Sequence, residues 1–168
     1  LTTCGALRIT GTLTVGTWAR NTGSDNDTVM QAWDGASNGW FLDRDNTNAA
    51  ARMTVYSSSV VNTSSAAASS FPTSTWVHVA GKYDGANAQV FTNGVAATAN
   101  DGPYTAVAAS SFFFLSGASL WAGQEDEAWV YAGNMSAASI CKIVDCGVDG
   151  GLCTCTGSSY LTNGRNTG

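Results

Sequence analysis

Three consecutive carboxylates, Glu125-Asp126-Glu127, are by type the residues best suited to chemistry in this chain. Glycoside hydrolysis runs on two carboxyls, one protonated and one ionised, whose mutual repulsion separates their roles. Alternate residues of a strand share a face. Glu125 and Glu127 therefore face one way and Asp126 the other, unless a bulge intervenes. The competing use of such acids is to bond backbone or loop groups near a sheet end. A second chemistry is sugar stacking, in which the apolar face of a pyranose covers an indole while nearby polar groups take its hydroxyls. Of six tryptophans, Trp129 adjoins the acids, Trp121 sits in the loop before them, and Trp40 follows the Asn38-Gly39 turn. Trp129, Glu127, Trp121 and Trp40 are accordingly nominated for ligand binding, against core packing or a subunit contact as the alternative. Trp18 and Trp76 are expected in the core. A third chemistry is calcium, which takes six to eight oxygens. Asp25-Asn26-Asp27, Asp43-Arg44-Asp45-Asn46 and Asn100-Asp101 offer them, and Asp126, Asp43 and Asp45 are the nominated ligands. None of these stretches is the D-x-D-x-D-G-x5-E loop, and Asp and Asn serve turns without any metal.

Five cysteines occur, Cys4, Cys141, Cys146, Cys153 and Cys155, four of them spaced C-x4-C-x6-C-x-C. Zinc sites favour C-x2-4-C knuckles, often with histidines, and the one histidine, His78, is remote in sequence. Disulfides are the expectation, with pairing open, and they imply an oxidising compartment. The odd thiol is left for a partner chain or for residues outside this sequence. His78 lies mid-strand between Val77 and Val79 with no partner motif, and is expected to be structural. Sequons at Asn26, Asn62 and Asn134 are candidate N-glycan sites, in a chain where Asn, Ser and Thr are abundant. The chain starts at Leu1, which points to processing or to a piece of something longer.

The elements that must position these residues are strands. With 168 residues, 11% charged and 44% hydrophobic, the chain is neither disordered nor a coiled coil. Its 7 Lys+Arg against 12 Asp+Glu, net −5, leave no basic surface for nucleic acid. No apolar run is long enough to span a membrane as a helix. Leu13, Val15, Thr17 and Ala19 alternate with Thr14, Gly16 and Trp18, a period of two. Further strands are expected over Thr28–Trp33, Gly39–Arg44, Ala51–Ser57, Trp76–Tyr83, Ala88–Thr92, Val95–Ala99, Phe112–Leu115 and Glu125–Tyr131. Asp34-Gly35 with Ser37-Asn38-Gly39, and Asn93-Gly94, are hairpin turns. Val60–Ser70 reads as a Ser/Ala-rich connection. Ser136–Val144 is the one helical stretch, capped by Ser136, with Ile140, Ile143 and Val144 on one side. Many short strands and almost no helix mean an all-β, antiparallel sandwich.

Three segments carry a family resemblance. Leu13-Thr14-Val15-Gly16-Thr17-Trp18-Ala19-Arg20 is similar to an opening strand that ends Trp-Val/Ala-Arg/Lys. Trp76-Val77-His78-Val79-Ala80-Gly81-Lys82-Tyr83-Asp84-Gly85, followed by Asn93-Gly94, resembles W-x-H-V-A-x-x-Y-D-G with its N-G hairpin. Gly123-Gln124-Glu125-Asp126-Glu127-Ala128-Trp129-Val130-Tyr131, then Met135-Ser136-Ala137-Ala138-Ser139-Ile140, resembles G-x-I-D-E-V-x-I-Y and its L-S-x-x-E-I helix. Together they resemble the laminin-G-like, concanavalin A-like lectin/glucanase jelly roll, from Leu13 to about Val144. The resemblance implies a jelly-roll sandwich over 1–144 with one short C-terminal helix; the Cys-rich, disulfide-pinned tail expected over 145–168 lies outside the family pattern. It also implies a secreted or cell-surface module that recognises carbohydrate or protein, is often calcium-bearing, and is not catalytic. Retaining glucanases of this class resemble E-x-D-x-E, which the consecutive acids here do not match. If Ala128 and Val130 face the core as family residues do, Trp129 stands on an outer face. The family's strand before the first motif is represented only by Leu1–Ile9. That truncation, the low charge and the odd cysteine suit the alternative, a self-assembling subunit of an extracellular filament, coat or array. A glucanase-like hydrolase ranks third.

Overall fold

The structure, a computed structural model, describes residues 9–23, 27–34, 37–105, 113–115 and 121–144. Eleven strands and one helix follow in chain order: β1 (Leu13–Asn21), β2 (Asp27–Trp33), β3 (Gly39–Asp45), β4 (Ala50–Ser57), β5 (Val60–Ser65), β6 (Trp76–Tyr83), β7 (Asn87–Thr92), β8 (Val95–Ala96), β9 (Asn100–Asp101), β10 (Phe113–Leu115), β11 (Gly123–Tyr131) and α1 (Ala137–Ile143). They form two antiparallel sheets. One runs β11-β1-β6-β7-β8, with β9 also on β7; the other runs β10-β2-β3-β4-β5.

Alternation explains the sandwich. Leu13, Val15 and Ala19 of β1 and Val77 and Val79 of β6 point inward from the first sheet. Met30, Trp40, Leu42, Ala51, Met53 and Val55 point inward from the second, and all join one buried core. Removing that apolar surface from water is what holds the layers together. Phe71, fully buried, closes one end, and its carbonyl accepts a 2.8 Å bond from Nε of the buried Arg44. A smaller apolar patch lies outside the first sheet, where Ile140 of α1 sits with Ala80 and Phe91, flanked by Trp129 and Met135.

The turns form as their chemistry demands. Asp34 Oδ1 accepts from the Ser37 and Asn38 amides at 2.8 and 3.0 Å, closing the β2–β3 connection. Asn93 and Gly94 both have positive φ, 47° and 78°, the signature of a type I′ hairpin. Ser136 caps α1, its side chain accepting from the Ser139 amide at 3.0 Å.

Two expectations change. Val60–Ser65 is a strand, not a connection: it pairs with β4 from Ser57↔Val60 to Arg52↔Ser65. Trp76 is 42% exposed rather than in the core, because it shares the outward face of β6 with His78 while Val77 and Val79 take the inward one. Trp18, paired with His78, likewise stands on that outer face.

Candidate functional site

The residues nominated from the sequence do not converge. Trp40 is 1% exposed and belongs to the core, so its ring is closed to any ligand; alternation with Phe41 decides this. Trp121 packs against the core edge beside Phe71, ring centroids 5.9 Å apart. Trp129 does lie on the outer face of the first sheet, opposite Gly16. A Cβ at Gly16 would stand 2.5 Å from its Cζ2. The indole stacks on His78 at 6.3 Å and 17° and flanks the Ile140 patch. It is a packing residue more than an open platform.

The acidic triplet is split by a bulge. Gly16 pairs with Trp129 and Trp18 with Asp126, so Glu127 and Ala128 oppose only Thr17. Glu127 takes φ 52° there. Thr17 Oγ1 donates to the Asp126 carbonyl at 2.8 Å, and Asp126 Oδ1 accepts from the Glu127 amide at 2.8 Å. Glu125 pairs with the core residue Ala19, and burial pushes its carboxyl up to about 7. Glu125 and Asp126 thus take opposite faces of β11, and Asp126 is bonded to backbone.

The nominated calcium ligands do not form one site either. Asp43 and Asp45 lie on β3, while Asp126 lies in the other sheet. Among the described residues no three His, Cys, Asp or Glu side chains group to hold a metal ion. Of the sequons, Asn134 is exposed. Asn62 pairs with the core residue Val55, lies against Gly102, and has its amide nitrogen buried, which leaves no room for a glycan. Asn26 lies outside the described residues. Cys141, on α1, is disulfide-bonded. Cys4, Cys146, Cys153 and Cys155, and the proposed tail over 145–168, lie outside the described residues.

What the fold does assemble is on the outer face of the five-stranded sheet. There Trp33 pairs with Gly39, and Gly39 with Tyr56, while Phe41 follows two residues along β3 on the same face. The rings form one cluster: Trp33–Phe41 centroids 5.2 Å apart, Phe41–Tyr56 5.4 Å, Trp33–Tyr56 6.3 Å. Gly39 lies between Trp33 and Tyr56 in the register, close against the β2 backbone at Ala32 and Trp33. Its φ is 128°, and an added Cβ would stand 2.8 Å from the Trp33 Cα, so no side chain fits there. Val61, opposite Tyr56 on β5, is exposed and extends the apolar surface.

Polar groups surround the rings. At one end two turns are laced together. Ser59 N donates to the Ser37 carbonyl at 3.1 Å, Ser58 N donates to Asn38 Oδ1 at 3.1 Å, and the Ser37 and Ser59 hydroxyls meet at 3.1 Å. Toward the other end, Arg52 grips Asp43 through Nε at 2.7 Å and Nη2 at 3.1 Å, with Asp45 4.0 Å from Nη1. Burial pushes the Asp43 carboxyl up, and the guanidinium pulls against it. Burial also pushes the Tyr56 phenol up, with the Asp43 charge adding to it. Gln31 pairs with Phe41, and its Oε1 is buried with no hydrogen-bond partner, as is the Trp33 indole N–H. Aromatic faces beside fixed polar atoms suit a ligand with one apolar and one hydroxylated side. Trp33, Phe41 and Tyr56 were visible as aromatics of three strands; only the pairing register brings them together.

A family model for the concanavalin A-like lectin/glucanases superfamily matches residues 1–141. The chain belongs to that superfamily. No curated protein matches it. Among solved structures it is similar to domain 4 of AbnA, a GH43 extracellular arabinanase of Geobacillus stearothermophilus, in complex with arabinotriose: 18% identity, TM-score 0.65, 82% of this chain and 68% of that one. It is also similar to the CBM40 of a Ruminococcus gnavus IT-sialidase bound to α2,3 sialyllactose: 13% identity, TM-score 0.66, 83% and 85% covered. A third is a SAP-like pentraxin of Limulus polyphemus: 12% identity, TM-score 0.58, 84% and 73% covered. At these identities the likeness is one of fold.

Proposed function

We propose that this superfamily member is a non-catalytic glycan-recognition module whose site is the outer face of the five-stranded sheet. The observation that carries the reading is the mutual contact of the half-buried Trp33, Phe41 and Tyr56 rings on that face, with polar groups at both ends. Two structures of the same fold hold saccharides, arabinotriose and sialyllactose, which supports that ligand class. The opposite faces taken by Glu125 and Asp126 support recognition over hydrolysis. An extracellular location accords with the Cys141 disulfide and with the extracellular enzyme that carries the first of those domains. Calcium is not required by this reading. Trp33→Ala and Tyr56→Ala should each weaken binding to an immobilised glycan panel by at least about tenfold, since stacking is worth on the order of 1.5 kcal/mol per ring. Their melting temperatures should stay within a few degrees of the parent. Binding that survives both substitutions would overturn the site.

A second reading, a self-assembling structural subunit, is favoured by one observation. Among the described residues strand β5 ends its sheet, with Val60 and Val61 52% and 51% exposed beside a Thr63 carbonyl taken by Asn100 Nδ2, and exposed apolar side chains at a sheet edge recruit other chains. Sedimentation across a hundredfold concentration range separates the two: polymers that dissolve on Val60→Lys support the subunit, and a monomer that binds glycans supports the module.

A further inference from the structure

We infer that this face selects uncharged saccharides and rejects those bearing carboxylate, sulfate or phosphate. The inference rests on reading the face as a glycan site. A site for acidic sugars needs a cation with donors to spare, typically an arginine fork. Arg52 is the only cation that the register brings to this face among the described residues, and its fork is taken. Two of its nitrogens hold both oxygens of Asp43, and a third lies 4.0 Å from Asp45. Asp45 is itself anchored by the Thr47 amide at 3.0 Å and Asn48 Nδ2 at 2.9 Å, and these bonds hold its carboxyl below the usual range, so it stays ionised near neutral pH. Two anions against one cation leave the face net negative. Other described cations cannot compensate: Arg44 is buried and bonded to the Phe71 carbonyl, Arg20 and Lys82 belong to the opposite sheet, and Lys142 lies on α1, which packs on that opposite sheet. The chain's net charge of −5 adds in the same direction.

What remains suits hydroxyls. The half-exposed Asp45 carboxylate is an acceptor, and the half-exposed Thr63 hydroxyl, 3.0 Å from that of Thr54, can give or take a hydrogen bond. A neutral sugar satisfies such groups at no Coulombic cost. An added anion a few ångströms from an unneutralised carboxylate loses on the order of tenfold in affinity at a protein surface.

Matched pairs test this on the intact chain: lactose against 3′-sialyllactose, and galacto-oligosaccharides against oligogalacturonates, within a broader array of neutral and acidic glycans. Titrations would be run at low and high salt. Neutral members are expected to bind with salt-independent affinity, at least tenfold above their acidic partners and lost in Trp33→Ala. The Asp43→Asn/Asp45→Asn variant should free Arg52 and raise the acidic-to-neutral affinity ratio by about tenfold. If the pair of substitutions prevents folding, Asp45→Asn alone should raise the ratio in the same direction. Acidic glycans that bind the parent as well as neutral ones, in a manner Trp33→Ala abolishes, would overturn the charge selection and leave the site standing. An unchanged ratio in the folded Asn variants would overturn it as well. If no glycan of either kind binds, the site and the inference fall together.

Discussion

His78 is fully buried, stacked on Trp129 and edge-on to Trp18 at 5.5 Å, with neither ring nitrogen bonded. Burial holds its imidazole down at about 4, against an ordinary 6.5, while Glu125 is pushed up to about 7 from 4.5. The signs oppose. Below pH 6.5 the unfolded chain takes up a proton that folded His78 refuses, so acidification toward 4 costs stability, on the order of 3 kcal/mol for a shift of this size. Above pH 4.5 the unfolded chain releases a proton that folded Glu125 keeps, so stability falls as pH rises through about 7. Glu125→Gln should therefore raise Tm above pH 7 and leave only the acid loss; His78→Phe should keep the stacking and remove that acid loss. Tm against pH for the parent and both variants checks this, and coincident curves would refute it. Trp129→Ala should cost about 2 kcal/mol of stability through lost packing and leave glycan binding unchanged. Denaturant melts beside a binding titration would show the reverse pattern if Trp129 were the platform.

At the level of strands and helix, local chemistry was readable. The Asp34 and Asn93-Gly94 turns encode their own bonds, and Ser136 encodes the start of α1. Removing that cap by Ser136→Ala should cost about 1 kcal/mol. Ile140→Ala, which empties the patch against Ala80 and Phe91, should cost 2 kcal/mol or more and loosen α1 first, seen as faster amide exchange there. Two things were hidden. Strand β5 has only Val60 and Val61 to mark it, followed by Asn, Thr and Ser, so its identity comes from pairing with β4 rather than from periodicity. The faces of β11 were hidden because one extra residue at Glu127 shifts the alternation, and no residue type there announces a left-handed backbone. The aromatic cluster was illegible for a related reason. Trp33, Phe41 and Tyr56 are far apart in sequence, and their meeting depends on the lengths of two hairpin connections. Trp40, next to Phe41 but of opposite parity, faces the core instead.

Taken whole, the molecule is a two-sheet sandwich whose outer faces differ. One carries α1, a packed apolar patch and the exposed Trp76; the other carries half-buried rings, hydroxyls and an arginine paired with Asp43. On the proposed reading the second face is the one that meets a glycan. The contrast also bears on how the recognition face could be altered. The β2–β3 and β4–β5 hairpin ends are tied by Ser37–Ser59 and Asn38–Ser58 bonds beside the ring cluster. A library that randomises either loop alone would break the tie and loosen the perch, whereas exchanging the two loops together would transplant a new specificity with the tie intact.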